Sequence, residues 1–143
     1  MIVPDVNLLL YAEVDAFAQH VSARRWWEDL LGGSRQVGLA SVAVFGFLRI
    51  ATNRRVFMEP MAVDDAIARV RRWLEQPNVS FLVPGTRHFE IAFRLLGELG
   101  TGANLTTDVQ LAAHALEHAG EVHSNDRDFA RFDGLRWLDP LAH

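Results

Sequence analysis

Cysteine and lysine are both absent from this chain of 143 residues. The lack of cysteine excludes disulfides and thiolate metal sites, so any metal here must be held by oxygen or imidazole, a donor set that favours a hard ion. The lack of lysine makes all 14 basic residues arginine. That usage fits a GC-rich coding genome as readily as a need for phosphate forks. Long apolar runs are missing as well: residues 42–47 fall far short of the ~20 needed to span a bilayer. The N-terminus begins on an apolar strand, without a charged segment and signal core, so the expectation is a cytoplasmic protein with no membrane partner. The charge excess is small, at −4, and at the level of the whole domain it does not announce a nucleic-acid binder. What is plentiful is apolar residues, at 50%, enough for one domain over residues 1–143 with a substantial core.

Short apolar segments alternate with helical patterns. Strands are expected at 1–5, 36–40, 79–83, 121–124 and 135–138, and helices at 7–12, 20–31, 41–51, 63–74, 87–99 and 107–119. Gly32-Gly33 stops the second helix, Ser41 is placed to cap the third, Pro77-Asn78 ends the fourth, and Gly100-Thr101-Gly102 closes the fifth. Val63, Ile67, Val70 and Leu74 give the fourth an amphipathic three/four spacing. This alternation implies an α/β sandwich with a mainly parallel central sheet. In such sheets the site lies beyond the carboxyl ends of the strands.

Acidic residues gather at that edge. Asp5 ends the first strand. Asp108 opens a helix, and Asp126 follows the strand after it, eighteen residues on, with Asp128 beside it. A helix of ~12 residues descends ~18 Å, and a strand of ~5 residues climbs back a similar distance, so Asp108 and Asp126 meet. Taken singly, Asp5 reads equally as a helix cap, Asp108 as a first-turn acid behind Thr106 or Thr107, and Asp126 and Asp128 as turn residues. Taken together, carboxylates at one edge need a cation or protonation to offset their repulsion. Such a cluster is nearly all that a phosphodiester hydrolase requires, because a bound Mg²⁺ or Mn²⁺ activates water and polarises the phosphoryl group.

The pattern resembles the PIN-domain ribonucleases, and more narrowly the VapC toxins of bacterial toxin–antitoxin pairs. It is carried by Asp5-Val6-Asn7, by Phe47-Leu48-Arg49 with residues 51–57, by Asp108 through Asp128-Phe129, and by Trp137-Leu138-Asp139-Pro140-Leu141. The resemblance implies a PIN-like α/β/α sandwich and a Mg²⁺- or Mn²⁺-dependent endoribonuclease hydrolysing RNA with metal-activated water. It implies a homodimer and a cognate VapB-type antitoxin that occludes the site. Asp5, Asp108 and Asp126 fall on the metal-binding acids, Asp128 on an accessory acid, Ser124 on a small hydroxyl position and Asn7 on a polar one. The chain departs from the family in the middle helix, where many members carry a glutamate and this sequence has Gly46. Glu13, Glu59 and Glu90 are possible substitutes. The departure keeps a second reading in view, a catalytically weakened or inactive PIN-type RNA-binding module.

Arg49, Arg54 and Arg55 are candidates for RNA phosphate contact, whereas Arg69, Arg71 and Arg72 read as a solvated helix face. The four tryptophans read as packing residues. His114-Ala115-Leu116-Glu117-His118 matches a short zinc-peptidase pattern, but both histidines lie opposite the apolar stripe of their helix and are expected to be solvent-exposed. His20, His88 and His123 show no ligand spacing, and His143 is terminal. A phosphoacceptor role for Asp5 fails on residues: dehalogenase chemistry wants an aspartate at Asn7, and a receiver domain wants one where Pro84-Gly85 stand.

Overall fold

The computed structural model describes residues 1–100 and 105–142; Thr101 and Gly102 of the expected turn, and His143, lie outside them. Its strands are β1 (Ile2–Pro4), β2 (Val37–Ala40), β3 (Val79–Leu82), β4 (Glu121–His123) and β5 (Arg136–Leu138). The helices are α1 (Val6–Glu13), α2 (His20–Leu31), α3 (Ser41–Ala51), α4 (Val63–Leu74), α5 (His88–Leu99) and α6 (Thr106–Glu117). All strand pairings are parallel, in the order β3-β2-β1-β4-β5. The chain therefore moves outward from β1 to β3, then crosses back over the sheet to β4 and β5. Right-handed crossovers send the helices before that reversal to one face and those after it to the other, which makes an α/β/α sandwich. The switch point falls between β1 and β4, and it is beyond the carboxyl edge at such a point that open α/β sheets bind ligands.

Every residue of β1 and β2 is buried, as strands covered on both faces require. The largest core side chains join the helices over one face: Trp73 packs edge-on against Trp27 at 5.6 Å and against Phe47 at 4.9 Å. Each such ring, fully buried, contributes ~1.5–3 kcal/mol of transfer free energy. The packing role expected of Trp27 and Trp73 is what the fold shows.

Three local expectations are corrected. Ser41 does not cap α3: β2 runs straight into the helix, Ser41 is already helical, and Ala40 stands at the cap with no side-chain bond. The helix carrying Asp108 ends at Glu117, short of residue 119, because Ala119 turns to φ 51° and the Gly120 amide closes back onto the Ala115 carbonyl at 2.8 Å. Arg69 departs from the solvated face, on which Arg71 and Arg72 stay exposed. Arg69 Nη1 reaches Glu13 Oε2 at 2.5 Å and Arg72 Nη2 the same oxygen at 3.6 Å, while Trp73 Nε1 donates to Glu13 Oε1 at 3.1 Å. Buried Glu13 draws Arg69 and Trp73 inward, tying the end of α1 to α4.

Candidate metal centre at the switch point

Asp5 ends β1 and caps α1, so its backbone is fixed from both sides: its amide donates to the His123 carbonyl at 2.9 Å. Its side chain is fixed as well. Oδ1 accepts from the Val6 amide at 2.7 Å, and Oδ2 accepts from the Ser124 hydroxyl at 2.7 Å. Ser124 is completely buried, and its Oγ also accepts from the Asp126 amide at 2.9 Å. One hydroxyl thus joins the acid after β1 to the acid after β4. Burial raises the Asp5 carboxyl above its ordinary range and nearby Asp126 adds to this, against the lowering effect of the two hydrogen bonds. The cap reading of Asp5 holds, with one oxygen serving the helix and the other accepting from Ser124.

Asp108 lies in the first turn of α6, only 9% exposed. Its carboxylate, that of Asp126 and that of Asp128 place oxygens within 4.8 Å of one another. Asp126 doubles as the cap of the 3-10 turn Arg127–Arg131, its Oδ1 accepting from the Asp128 amide at 2.9 Å. That turn is held in place by the sheet: the Ser124 amide donates to the Leu138 carbonyl and Trp137 Nε1 to the Ser124 carbonyl. Asp108 is pushed up to about 7, first by desolvation, then by Asp5, Asp126 and Asp128. A site that holds a carboxyl at that value without a cation has more negative charge than it can stabilise. The carboxylates of Asp108, Asp126 and Asp128 offer an all-oxygen donor set, of the kind that fits Mg²⁺ or Mn²⁺.

Asp128 lies in mutual reach of Asp108 and Asp126, while Asp5 is joined to Asp126 through Ser124. Two further groups escaped sequence reasoning. Asp139 accepts from the Asn125 side chain at 2.9 Å and so steadies the loop between Ser124 and Asp126. Tyr11, on α1, is partly buried, and its hydroxyl is shifted upward by burial and then by Asp5, Asp126 and Asp139. Only the register of β4 against β5 brings Asp139 to the loop, and no local pattern encodes that.

Among the described residues no glutamate joins the acidic group. Glu13 is bound to Arg69, and Glu59 and Glu90 are exposed and outside the acidic group. Gly46 faces α1: a Cβ there would stand 2.8 Å from Val6 Cγ2, next door to Asp5. Arg49 is exposed in the last turn of α3, and Arg54 and Arg55 are exposed in the turn beyond it. The histidine expectation is corrected: His114 is 5% exposed, and only His118 faces solvent.

A family model described as PIN domain matches residues 2–135. This chain belongs to the PIN-domain family. Within it the chain groups with the VapC type. It is 56% identical over 141 residues to Ribonuclease VapC33 of Mycobacterium tuberculosis, covering 99% of both chains, and 41% identical to Ribonuclease VapC37 of the same organism over 99% of both. Among solved structures, it superposes with a TM-score of 0.70 on VapBC2 from Rickettsia felis bound to promoter DNA, at 15% identity and covering 96% and 98% of the two chains. It also matches Mycobacterium tuberculosis VapC20, a sarcin–ricin loop cleaving toxin, with a TM-score of 0.70 at 16% identity, covering 95% and 99%. These last two likenesses establish the PIN fold, and the family match establishes the kinship.

Proposed function

We propose that this PIN domain is a divalent-cation-dependent endoribonuclease acting as the toxin of a VapBC-type pair. The observation that carries the reading is the convergence of Asp5, Asp108, Asp126 and Asp128 on the switch point, with Asp108 raised to about 7 by burial first and then by the neighbouring acids. Asp108, Asp126 and Asp128 would hold the ion, with Asp5 beside them. When bound, Mg²⁺ or Mn²⁺ supplies charge neutralisation for the scissile phosphate and lowers the pKa of a water. Ser124 keeps Asp5 and Asp126 in register by its paired hydrogen bonds. Asp139 and Trp137 keep the 124–128 loop from spreading. Arg49, Arg54 and Arg55 are exposed and free to meet RNA phosphates.

The same-length relatives are named ribonucleases, and several neighbours were solved as toxin–antitoxin complexes, which supports an RNA substrate and a VapB-type partner here. Exposed apolar groups suit protein partners, including a second copy: Phe89 and Phe93 stack on α5 at 6.0 Å while 65% and 60% exposed, and Phe45 on α3 is 65% exposed. One observation favours the weakened alternative, namely that Val6 occupies the space a longer residue at position 46 would need. RNA cleavage measured with Mg²⁺, with Mn²⁺ and with chelator, on the unmodified chain and on D108N, separates the two. The proposal expects metal-dependent cleavage that D108N lowers by a factor of ~100 or more. RNA binding without metal-dependent cleavage would establish the alternative.

A further inference from the structure

A second cluster of ligating side chains lies away from the acids. His88 opens α5, and His114 and Glu117 lie one turn apart on the same face of α6. Ligand atoms from all three stand within 4.8 Å of one another. The two imidazoles are 4.4 Å apart between centroids, and each residue is 5% exposed. Nδ1 of both rings is buried with no hydrogen-bond partner. An unpaired buried polar nitrogen costs about 1–3 kcal/mol, and here two of them sit side by side. The protein satisfies a buried histidine elsewhere: His123 accepts from Trp26 Nε1 at 3.1 Å and its other nitrogen lies 2.9 Å from Glu121. The orphaned pair is therefore not the way this fold treats a packing histidine.

The third member is set in place independently. Glu117 Oε1 accepts from the Gly85 amide at 2.9 Å, and a Cβ at Gly85 would collide with the Glu117 carboxylate. The Gly85 and Arg87 amides hold Glu117 below its ordinary carboxyl range, so it is ionised, while burial and His88 push His114 down to about 4, leaving a neutral ring with a lone pair to offer. We propose that His88, His114 and Glu117 form a second metal site, for a borderline ion such as Zn²⁺, that clamps the start of α5 to the end of α6. Two imidazoles and a carboxylate are a recognised zinc donor set with a fourth position left for water. Zinc distances of ~2.0–2.1 Å bring donors to ~3.4 Å from one another, so the side chains close inward by roughly an ångström on binding. His118, the other histidine of the local sequence pattern, is exposed and is not a ligand. The site is independent of the acid cluster: His114 is six residues along α6 from Asp108, ~9 Å of helix rise.

The test uses the D108N chain, so that zinc bound by the acids does not mask the second site. Zn²⁺ is titrated calorimetrically and its effect on thermal unfolding is followed. The expected result is one tight equivalent and an upward thermal shift, with affinity lowered at least tenfold by adding E117Q, which still accepts from the Gly85 amide, and likewise by adding H114Q. Should H114Q fail to fold, the E117Q comparison stands, together with the imidazole ¹⁵N resonances of His88 and His114 in the unmodified chain. Both sets should shift on saturation with Zn²⁺. Zinc affinity unchanged by E117Q, no tight equivalent, or unmoved His88 and His114 resonances would overturn the assignment.

Discussion

Glu13 and Asp108 are carboxylates of nearly equal burial, 7% and 9% exposed, in opposite electrical surroundings. Glu13 meets Arg69 at 2.5 Å and the Trp73 indole at 3.1 Å. Asp108 meets three more acids, which with desolvation hold its carboxyl at about 7. The contrast separates two reasons to bury an acid. A pair completed within the chain joins two helices, here α1 and α4, whereas an unbalanced cluster leaves charge for a proton or an outside ion to offset. The buried histidines divide in the same way: His123 has both nitrogens engaged, and His88 and His114 each leave one without a partner.

Neutralising the two acids should therefore move stability in opposite directions. E13Q leaves Arg69 without its counter-charge and should cost roughly 1–3 kcal/mol, below the ~3–5 kcal/mol of a fully buried broken pair because Arg69 is partly exposed. D108N removes repulsion and should stabilise the metal-free protein at pH 8, by an amount on the order of 1 kcal/mol, while abolishing cleavage. Urea unfolding with chelator present measures both. Destabilisation by D108N to the same extent as E13Q would erase the distinction.

The comparison sharpens with pH. Asp108 titrates at about 7 when folded, against an ordinary value of 3.8. Between those values the folded chain keeps a proton that the unfolded chain has lost, so its contribution to metal-free stability falls as pH rises from about 4 through about 7. D108N should flatten that part of the profile. Mg²⁺ should reverse it, since the ion replaces the proton and binds more tightly as Asp108 ionises. A slope in that window identical with and without Asp108 would show that its repulsion is not felt.

The sequence was most informative where local chemistry and chain geometry agree. The alternation of short strands and helices predicted the sandwich, and the Asp108 to Asp126 spacing predicted their meeting, because a helix down and a strand up are close to rigid lengths. It was least informative where partners come from distant elements. Glu13 read as a spare metal ligand, and only the approach of α4 to α1 makes it the counter-ion of Arg69. His114 read as exposed from the stripe of its own helix, yet α5 covers it with His88. Ser124 read as a small hydroxyl, and its bridging of Asp5 and Asp126 depends on β1 and β4 being neighbours.

Gly46 offers the smallest and most specific of these tests. A Cβ there meets Val6 at 2.8 Å, and Val6 is too short and stiff to swing aside, so G46A should gain ~1 kcal/mol of helix propensity and lose about 1–3 kcal/mol to overpacking. Trimming the neighbour with V6A should remove the second cost. In that background G46E sends a fifth carboxylate toward the start of α1, where Asp5 stands, and should tighten Mn²⁺ binding by roughly tenfold through added ligand charge. G46E alone should be less stable than the unmodified chain. If V6A/G46E folds normally and binds Mn²⁺ no better, the four aspartates already saturate the ion, and the glycine is there for the approach of α3 to α1 alone.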